Sequence, residues 1–239
     1  MLSLTLIVPF YNEARTIGHL VTQIANLPKD IVKQTIFVDD GSIDDSAEIV
    51  KRGLQVEQID AVLLRKPNGG KASAIKFAVP HLKTSHVLIL DADLELSTED
   101  VPRLWEIVTK NKSSIVFGYR SFLAQSSFTY RYARGNQFIS HFYGLLYNEV
   151  ITDIMCGFKL VPTSILLEFP FKFSKFAIEV ELPLFLWQKR LRPYELKVDY
   201  SPRSREEGKI IGTRDAIQIL FDLLVFRIRM SRKRQAREW

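Results

Sequence analysis

The chain has 239 residues, of which 46% are hydrophobic and 25% charged. This is ordinary globular composition, so a globally disordered or fibrous chain is excluded, and the length fits one large α/β domain or two small ones. The formal net charge is +6, and the single cysteine, Cys156, rules out an internal disulfide and suits a reducing compartment.

The N-terminus, MLSLTLIVPF, has neither a basic leader nor a small-residue cleavage site, and it reads as a first strand rather than a signal peptide. Short apolar runs bounded by turn residues or charges predict strands over 4–10, 34–40, 61–66, 86–93 and 113–120. Between them, helical spacing predicts helices over 13–26, 44–52, 70–82 and 99–110; Ile17, Leu20, Val21 and Ile24 mark the buried stripe of the first. Ser42 is the expected N-cap of the second, with Asp44 and Asp45 favourable in its first turn. This β-α alternation predicts a parallel sheet with right-handed crossovers. Further on, an aromatic-rich helix is expected over 130–148, a helix over 175–189, a strand over 195–201 and an amphipathic helix over 213–229. No Pro/Gly/Ser-rich linker separates the halves, so one unit is expected.

Open parallel sheets bind ligands outside the carboxyl ends of their strands. Here those ends carry PFYNE (9–13), DDGS (39–42) and DADLE (91–95), so three acidic clusters are expected on one crest. Asp91, Asp93 and Glu95 fall at alternate positions and would share one side if the chain stays extended. Hard oxygen ligands of this kind suit Mg2+ or Mn2+ bridging a diphosphate. The alternative is a solvated loop that caps the helix near Glu99. Asp39 and Asp40 end the second strand where α/β nucleotide-binding proteins place a carboxylate on a base or ribose, or else form an Asx-turn with Gly41. NGGKAS (68–73) lacks the upstream glycine and the following Ser/Thr of a P-loop, and reads as a turn opening a helix, with Lys71 able to reach a phosphate or a neighbouring acid. The four histidines are scattered and no zinc-type cluster occurs.

VPFYNE, DDGS, NGGKASA and DADLE, in this order and spacing, resemble the GT-A-fold family 2 glycosyltransferases. FGYR (117–120), TDIMCGFKL (152–160), FAIEVEL (176–182) and REEGKI (205–210) narrow the resemblance to polyprenyl-phosphate hexosyl synthases, such as dolichyl-phosphate mannose and glucose synthases. The resemblance implies a nucleotide-diphospho-sugar transferase fold: an α/β unit with a mostly parallel central sheet flanked by helices, followed by a C-terminal amphipathic helix. It implies that Pro9, Tyr11, Glu13, Asp39 or Asp40, Asp91 and Ala92 line the nucleotide, together with Lys71. Asp93, with Asp91 and with Glu95 where relatives often have Gln, would hold the metal. Arg120 would meet phosphate at the reaction centre, and Arg203 or Arg205 with Lys209 would close over the diphosphate. The relatives' loop often ends in a Ser-Lys pair where GKII follows here, so the register of Arg203, Arg205 and Lys209 stays open.

A departing nucleoside diphosphate needs positive charge, and an acceptor phosphate, with a second pKa of roughly 6, is already ionised and needs no strong general base. A hydroxyl acceptor would need one, for which Asp153, Glu179 or Glu181 would serve. The 129–147 segment is expected either as a core helix or as a groove wall for a lipid acceptor, with Arg131 and Arg134 near its phosphate. The last helix is too short and interrupted by Asp222 to span a membrane. Its basic end, with Arg227, Arg229, Arg232, Lys233, Arg234 and Arg237, fits an interfacial helix on an anionic leaflet better than a nucleic-acid surface.

The expectation is therefore a metal-dependent inverting hexosyltransferase using Mg2+ or Mn2+, with a UDP- or GDP-sugar donor and a polyprenyl-phosphate acceptor. Residues 1–212 would form the catalytic unit and 213–239 a membrane-surface helix on the cytoplasmic face. The rival readings are a family 2 transferase acting on a saccharide or other cell-surface glycan, and a nucleotide-sugar-binding module without turnover.

Overall fold

The computed structural model describes residues 2–121, 130–171, 178–201 and 213–235, with side chains except at 130–132, 213–215 and 229–235. Among the described residues seven strands make one sheet: β1 (Leu4–Phe10), β2 (Val32–Asp39), β3 (Ala61–Arg65), β4 (His86–Ile89), β5 (Val116–Arg120), β6 (Lys159–Pro162) and β7 (Tyr194–Val198), in the order β3-β2-β1-β4-β6-β5-β7. Around them run α1 (Ile17–Ala25), α2 (Ser46–Val56), α3 (Lys71–Ala78), α4 (Asp100–Thr109), α5 (Tyr130–Tyr147), α6 (Thr163–Glu168), α7 (Ile178–Gln188) and α8 (Thr213–Gln235).

The period-2 pattern of the strands feeds two cores. Leu4, Leu6, Val8 and Phe10 of β1 pack with the α1 stripe (Ile17, Leu20, Val21, Ile24) and with Val101 and Leu104 of α4. Ile7, Ile36, Val38, Val87 and Ile89 face the other way, into a core completed by α3, α5, α7 and α8, including Tyr143, Tyr147, Leu182, Ile219 and Leu223. Two hydrogen bonds tie this helical layer together: Tyr147 Oη donates to the Leu223 carbonyl at 2.6 Å and Trp187 Nε1 to the Tyr147 carbonyl at 3.1 Å.

β1 runs parallel to β2 and β4, β2 to β3, and β5 to β7, while β6 is antiparallel to both β4 and β5. The sheet is thus mixed rather than wholly parallel. Because β6 alone is reversed, the C-terminal ends of the other six strands and the start of β6 open on one edge.

Several expected boundaries move for local reasons. Helix α1 begins at Ile17 rather than 13, because Asn12 turns the chain with φ 54° and the Glu13 carboxylate accepts the Thr16 hydroxyl at 2.9 Å. Ser42 does not cap α2; its hydroxyl accepts the Asn12 amide at 3.0 Å, and Asp45 holds the N-cap position. Strand β4 ends at Ile89, not 93, and β6 and α6 were not anticipated. The segments 172–177 and 202–212, which contain the expected start of α7 and the basic loop, lie outside the described residues.

Candidate active site

The strand ends are sewn together by their own acids and amides. Asp40 N donates to the Phe10 carbonyl at 2.9 Å and Leu90 N to the Ile7 carbonyl at 3.0 Å, so the ends of β2 and β4 flank that of β1. Asn12 N donates to Ser42 Oγ at 3.0 Å and Glu13 N to Ser46 Oγ at 2.8 Å, which draws the PFYNE turn onto the DDGS turn and the start of α2.

Asp40, 3% exposed, organises the turn after β3. Its carboxylate accepts from Lys66 Nζ at 2.6 Å, from Gly69 N at 3.1 Å to each oxygen and from Gly70 N at 2.6 Å. Gly70 has φ 86° and ψ 166°, a conformation open essentially to glycine, and it delivers Lys71 as the first residue of α3. Lys71 Nζ then pairs with Asp91 Oδ1 and lies 2.6 Å from Glu179 Oε1 at the start of α7. Burial opposes charge on Lys71, but Asp91 and Glu179 outweigh it and hold its pKa above the ordinary lysine value. The 66–71 turn therefore links the acidic end of β2 to that of β4. Asp39 is fully buried; its Oδ1 accepts from Ser42 N at 2.7 Å, and Arg65 Nε lies 3.1 Å from Oδ2 without hydrogen-bond alignment.

The DADLE segment is a turn, not an extension of β4. Leu94 takes φ 60°, and Glu95 N donates to Asp93 Oδ1 at 3.0 Å. The premise that put Asp91, Asp93 and Glu95 on one side of an extended chain fails for this reason, and among the described residues no three His, Cys, Asp or Glu side chains form a metal-binding group. Glu95 is turned toward β7: Tyr200 Oη donates to its Oε2 at 2.9 Å, Ser201 N donates to its carbonyl at 2.8 Å, and Leu96 bridges Tyr200. What remains suits a divalent ion bound by one or two carboxylates, with Asp93 oriented by the turn's own amide; Mg2+ and Mn2+ accept such sparse protein ligation when phosphate oxygens complete the shell.

Arg120, at the end of β5, is 5% exposed and grips the fully buried Asp153 through Nε at 2.6 Å and Nη2 at 2.9 Å. Its guanidinium also lies 5.0 Å from the Tyr200 ring centroid. The guanidinium expected to meet phosphate thus has two of its faces committed within the protein, and Asp153 is in no position to act as a general base.

Pro9 is buried in β1, Ala92 is buried at 4% exposure, and Tyr11 stands 44% exposed beyond the strand end. Arg134 lies on the exposed side of α5, with Nη1 3.3 Å from Gln137 Oε1. Arg131 belongs to α5 with its side chain outside the described set, as are Arg203, Arg205 and Lys209 entirely.

Three residues of the site were given no role by the sequence. Lys66, in the turn after β3, reaches Asp40 at the end of β2. Gly157 leaves room for Asp91: a Cβ there would lie 2.1 Å from Asp91 Oδ2. Lys159, buried at the start of β6, gives its ammonium to the carbonyls of Cys156 at 2.8 Å and Ile154 at 3.2 Å and stacks 4.3 Å from the Phe117 ring centroid, while burial lowers its pKa. Burial likewise pushes the Cys156 thiol up to about 11, which disfavours the thiolate near neutral pH.

Among solved structures, glucosyl-3-phosphoglycerate synthase from Mycobacterium tuberculosis in complex with Mn2+, UDP and phosphoglyceric acid aligns with TM-score 0.74 over 94% of this chain and 78% of that one, at 17% identity. A second complex of the same enzyme, with UDP-glucose, aligns at TM-score 0.72 and 18% identity over 94% and 79% of the two chains. The fold is that of the GT-A glycosyltransferases. The profile described as Glycosyl transferase family 2 matches residues 5–168, and the chain belongs to that family. A protein of Methanocaldococcus jannaschii of uncharacterized function is 26% identical over 92% of this chain and 97% of its own length. Undecaprenyl-phosphate 4-deoxy-4-formamido-L-arabinose transferase of Edwardsiella ictaluri is 27% identical over 92% of this chain, which spans 66% of that relative. The same-named transferase of Sodalis glossinidius is 35% identical over 45% of this chain and 34% of its own length.

Proposed function

We propose that this family 2 glycosyltransferase moves a hexose from a UDP- or GDP-sugar to a polyprenyl phosphate, with inversion and with Mg2+ or Mn2+. The observation that carries this reading is the linkage of Asp40, Lys71 and Asp91 at one sheet edge, beside the turn bearing Asp93. The named relatives act on undecaprenyl phosphate, and the structural neighbours hold UDP with Mn2+, which supports both acceptor and donor assignments.

Within this reading Pro9, Tyr11, Glu13, Asp39, Asp40 and Ala92 border the nucleotide, with Asp91 and Lys71 at its ribose-phosphate side. Asp93 would hold the divalent ion, which would neutralise charge growing on the departing diphosphate. Arg203, Arg205 and Lys209 would add cations to that leaving group, and Arg131 and Arg134 would meet the acceptor phosphate. Of the acids that could serve a hydroxyl acceptor as base, Asp153 is held by Arg120, Glu179 is held by Lys71, and Glu181 is buried. That favours an acceptor already ionised over a saccharide hydroxyl.

No described helix is long and apolar enough to cross a membrane. Helix α8 nonetheless exposes Ile217 (66%), Phe221 (59%), Leu224 (42%) and Ile228 (45%) at helical spacing, and α5 exposes Phe138 (58%) and Leu145 (79%). This stripe, leading into Arg229, Arg232, Lys233 and Arg234, supports an interfacial α8 on an anionic leaflet, each cation contributing about 1 kcal/mol. Radiolabelled transfer from UDP- and GDP-sugars to polyprenyl phosphate in Mg2+ or Mn2+ tests the acceptor. A labelled lipid product is expected, and transfer to saccharides alone would overturn it. Sedimentation with anionic liposomes tests α8: binding that weakens with salt and with Phe221→Asp is expected, and salt-insensitive or absent binding would contradict it.

A further inference from the structure

We propose that Glu179 is a positioning residue which, through Lys71, fixes the Asp91 carboxylate for donor binding; this rests on the donor reading above. Lys71 Nζ is held between Asp91 Oδ1 and Glu179 Oε1, with Lys71, Asp91 and Glu179 side chains 16%, 25% and 7% exposed. Three elements meet in this one ammonium: the start of α3, the end of β4 and the first turn of α7.

Each end of the brace is independently fixed. Lys71 follows Gly70, whose amide is held by Asp40 at 2.6 Å. Glu179 occupies the first turn of α7, where the helix N-terminus favours its charge. Its other oxygen, Oε2, is buried without a hydrogen-bond partner, so the described side-chain hydrogen bond to this carboxylate comes from Lys71, with the helix N-terminus and the buried Lys159 adding favourable charge. Asp91 is hemmed on its far side, because Oδ2 stands only 2.1 Å from where a Cβ of residue 157 would be. The carboxylate is therefore set between a shared ammonium and bare backbone, with its remaining exposure at the sheet edge. A lysine paired with Asp91 alone would retain the side-chain freedom of its long stem; Glu179 removes that freedom by holding the ammonium from the opposite side.

The test compares wild type with Glu179→Leu and Glu179→Gln, the latter keeping an acceptor oxygen for Lys71. In Glu179→Leu, donor KM is expected to rise about tenfold or more with kcat at saturation changed far less, and Glu179→Gln to recover most of that loss. On the protein alone, reductive methylation of Lys71 followed by mass spectrometry is expected to be slow in wild type and several-fold faster in Glu179→Leu. Equal Lys71 reactivity in wild type and Glu179→Leu, or a KM unchanged in Glu179→Leu, overturns the proposal, as does a Glu179→Gln no better than Glu179→Leu. The methylation arm needs no donor. A wild type that protects Lys71 yet binds no nucleotide sugar overturns the donor reading instead.

Discussion

Asp91 shows how much of this site depends on a side chain's neighbours. Its carboxylate is set by Lys71 on one side and by the missing side chain of Gly157 on the other. Gly157→Ala should therefore displace Asp91 and weaken nucleotide-sugar affinity about tenfold or more in calorimetric titration, since displacements near 1 Å at a reacting centre carry costs of that order and above. Arg120→Ala should leave Asp153 buried without its cation and cost roughly 3–5 kcal/mol in denaturant unfolding. The acids of DDGS and DADLE and the lysine of NGGK were legible in the sequence, because charge at the end of an apolar run has few structural uses. Gly157, Lys66 and Tyr200 were not, because their importance is a matter of which distant residue they approach. His86 adds a pH dependence: burial lowers its pKa below the usual value of 6.5. The unfolded chain then binds the proton more readily, so stability should fall as pH drops through about 6.5 toward the lowered folded value. Denaturation midpoints between about pH 5 and 7 should show this slope, reduced in His86→Gln.

At the scale of elements, the first half of the chain follows its hydrophobic periodicity. Strand β1 matches its expected bounds, and α1 buries the four residues its spacing picked out. Strand β6 escaped notice because it is four residues long and opens with a charged residue. Only the fold reveals that carbonyls and the Phe117 ring absorb the Lys159 ammonium, an arrangement no local pattern announces. Alternation likewise continued β4 on paper through Asp93, whereas the positive φ of Leu94 turns the chain and separates the roles of Asp93 and Glu95. The turn between β3 and α3 is the element on which the site depends most. Gly70→Ala there, at φ 86° and ψ 166°, should cost about 1–3 kcal/mol by thermal or denaturant unfolding and loosen the Asp40 contacts that aim Lys71.

For the molecule as a whole, one reversed strand leaves every other strand end on a single edge, and that edge gathers the acids of β2 and β4, the cations of the 66–71 turn and the paired Arg120 of β5. The helical layer on one face, with α5 and α8, exposes Phe138, Leu145, Phe221 and Leu224, and the proposed lipid contact would fall on these residues. Sugar transfer to a lipid phosphate tests this arrangement most directly. With Mn2+ and radiolabelled UDP- or GDP-sugar, wild-type protein should convert polyprenyl phosphate to a labelled lipid, and Asp93→Asn should lower the rate by about a hundredfold or more. A wild type that forms no labelled lipid with any common donor, or an Asp93→Asn variant as active as wild type, would contradict the account.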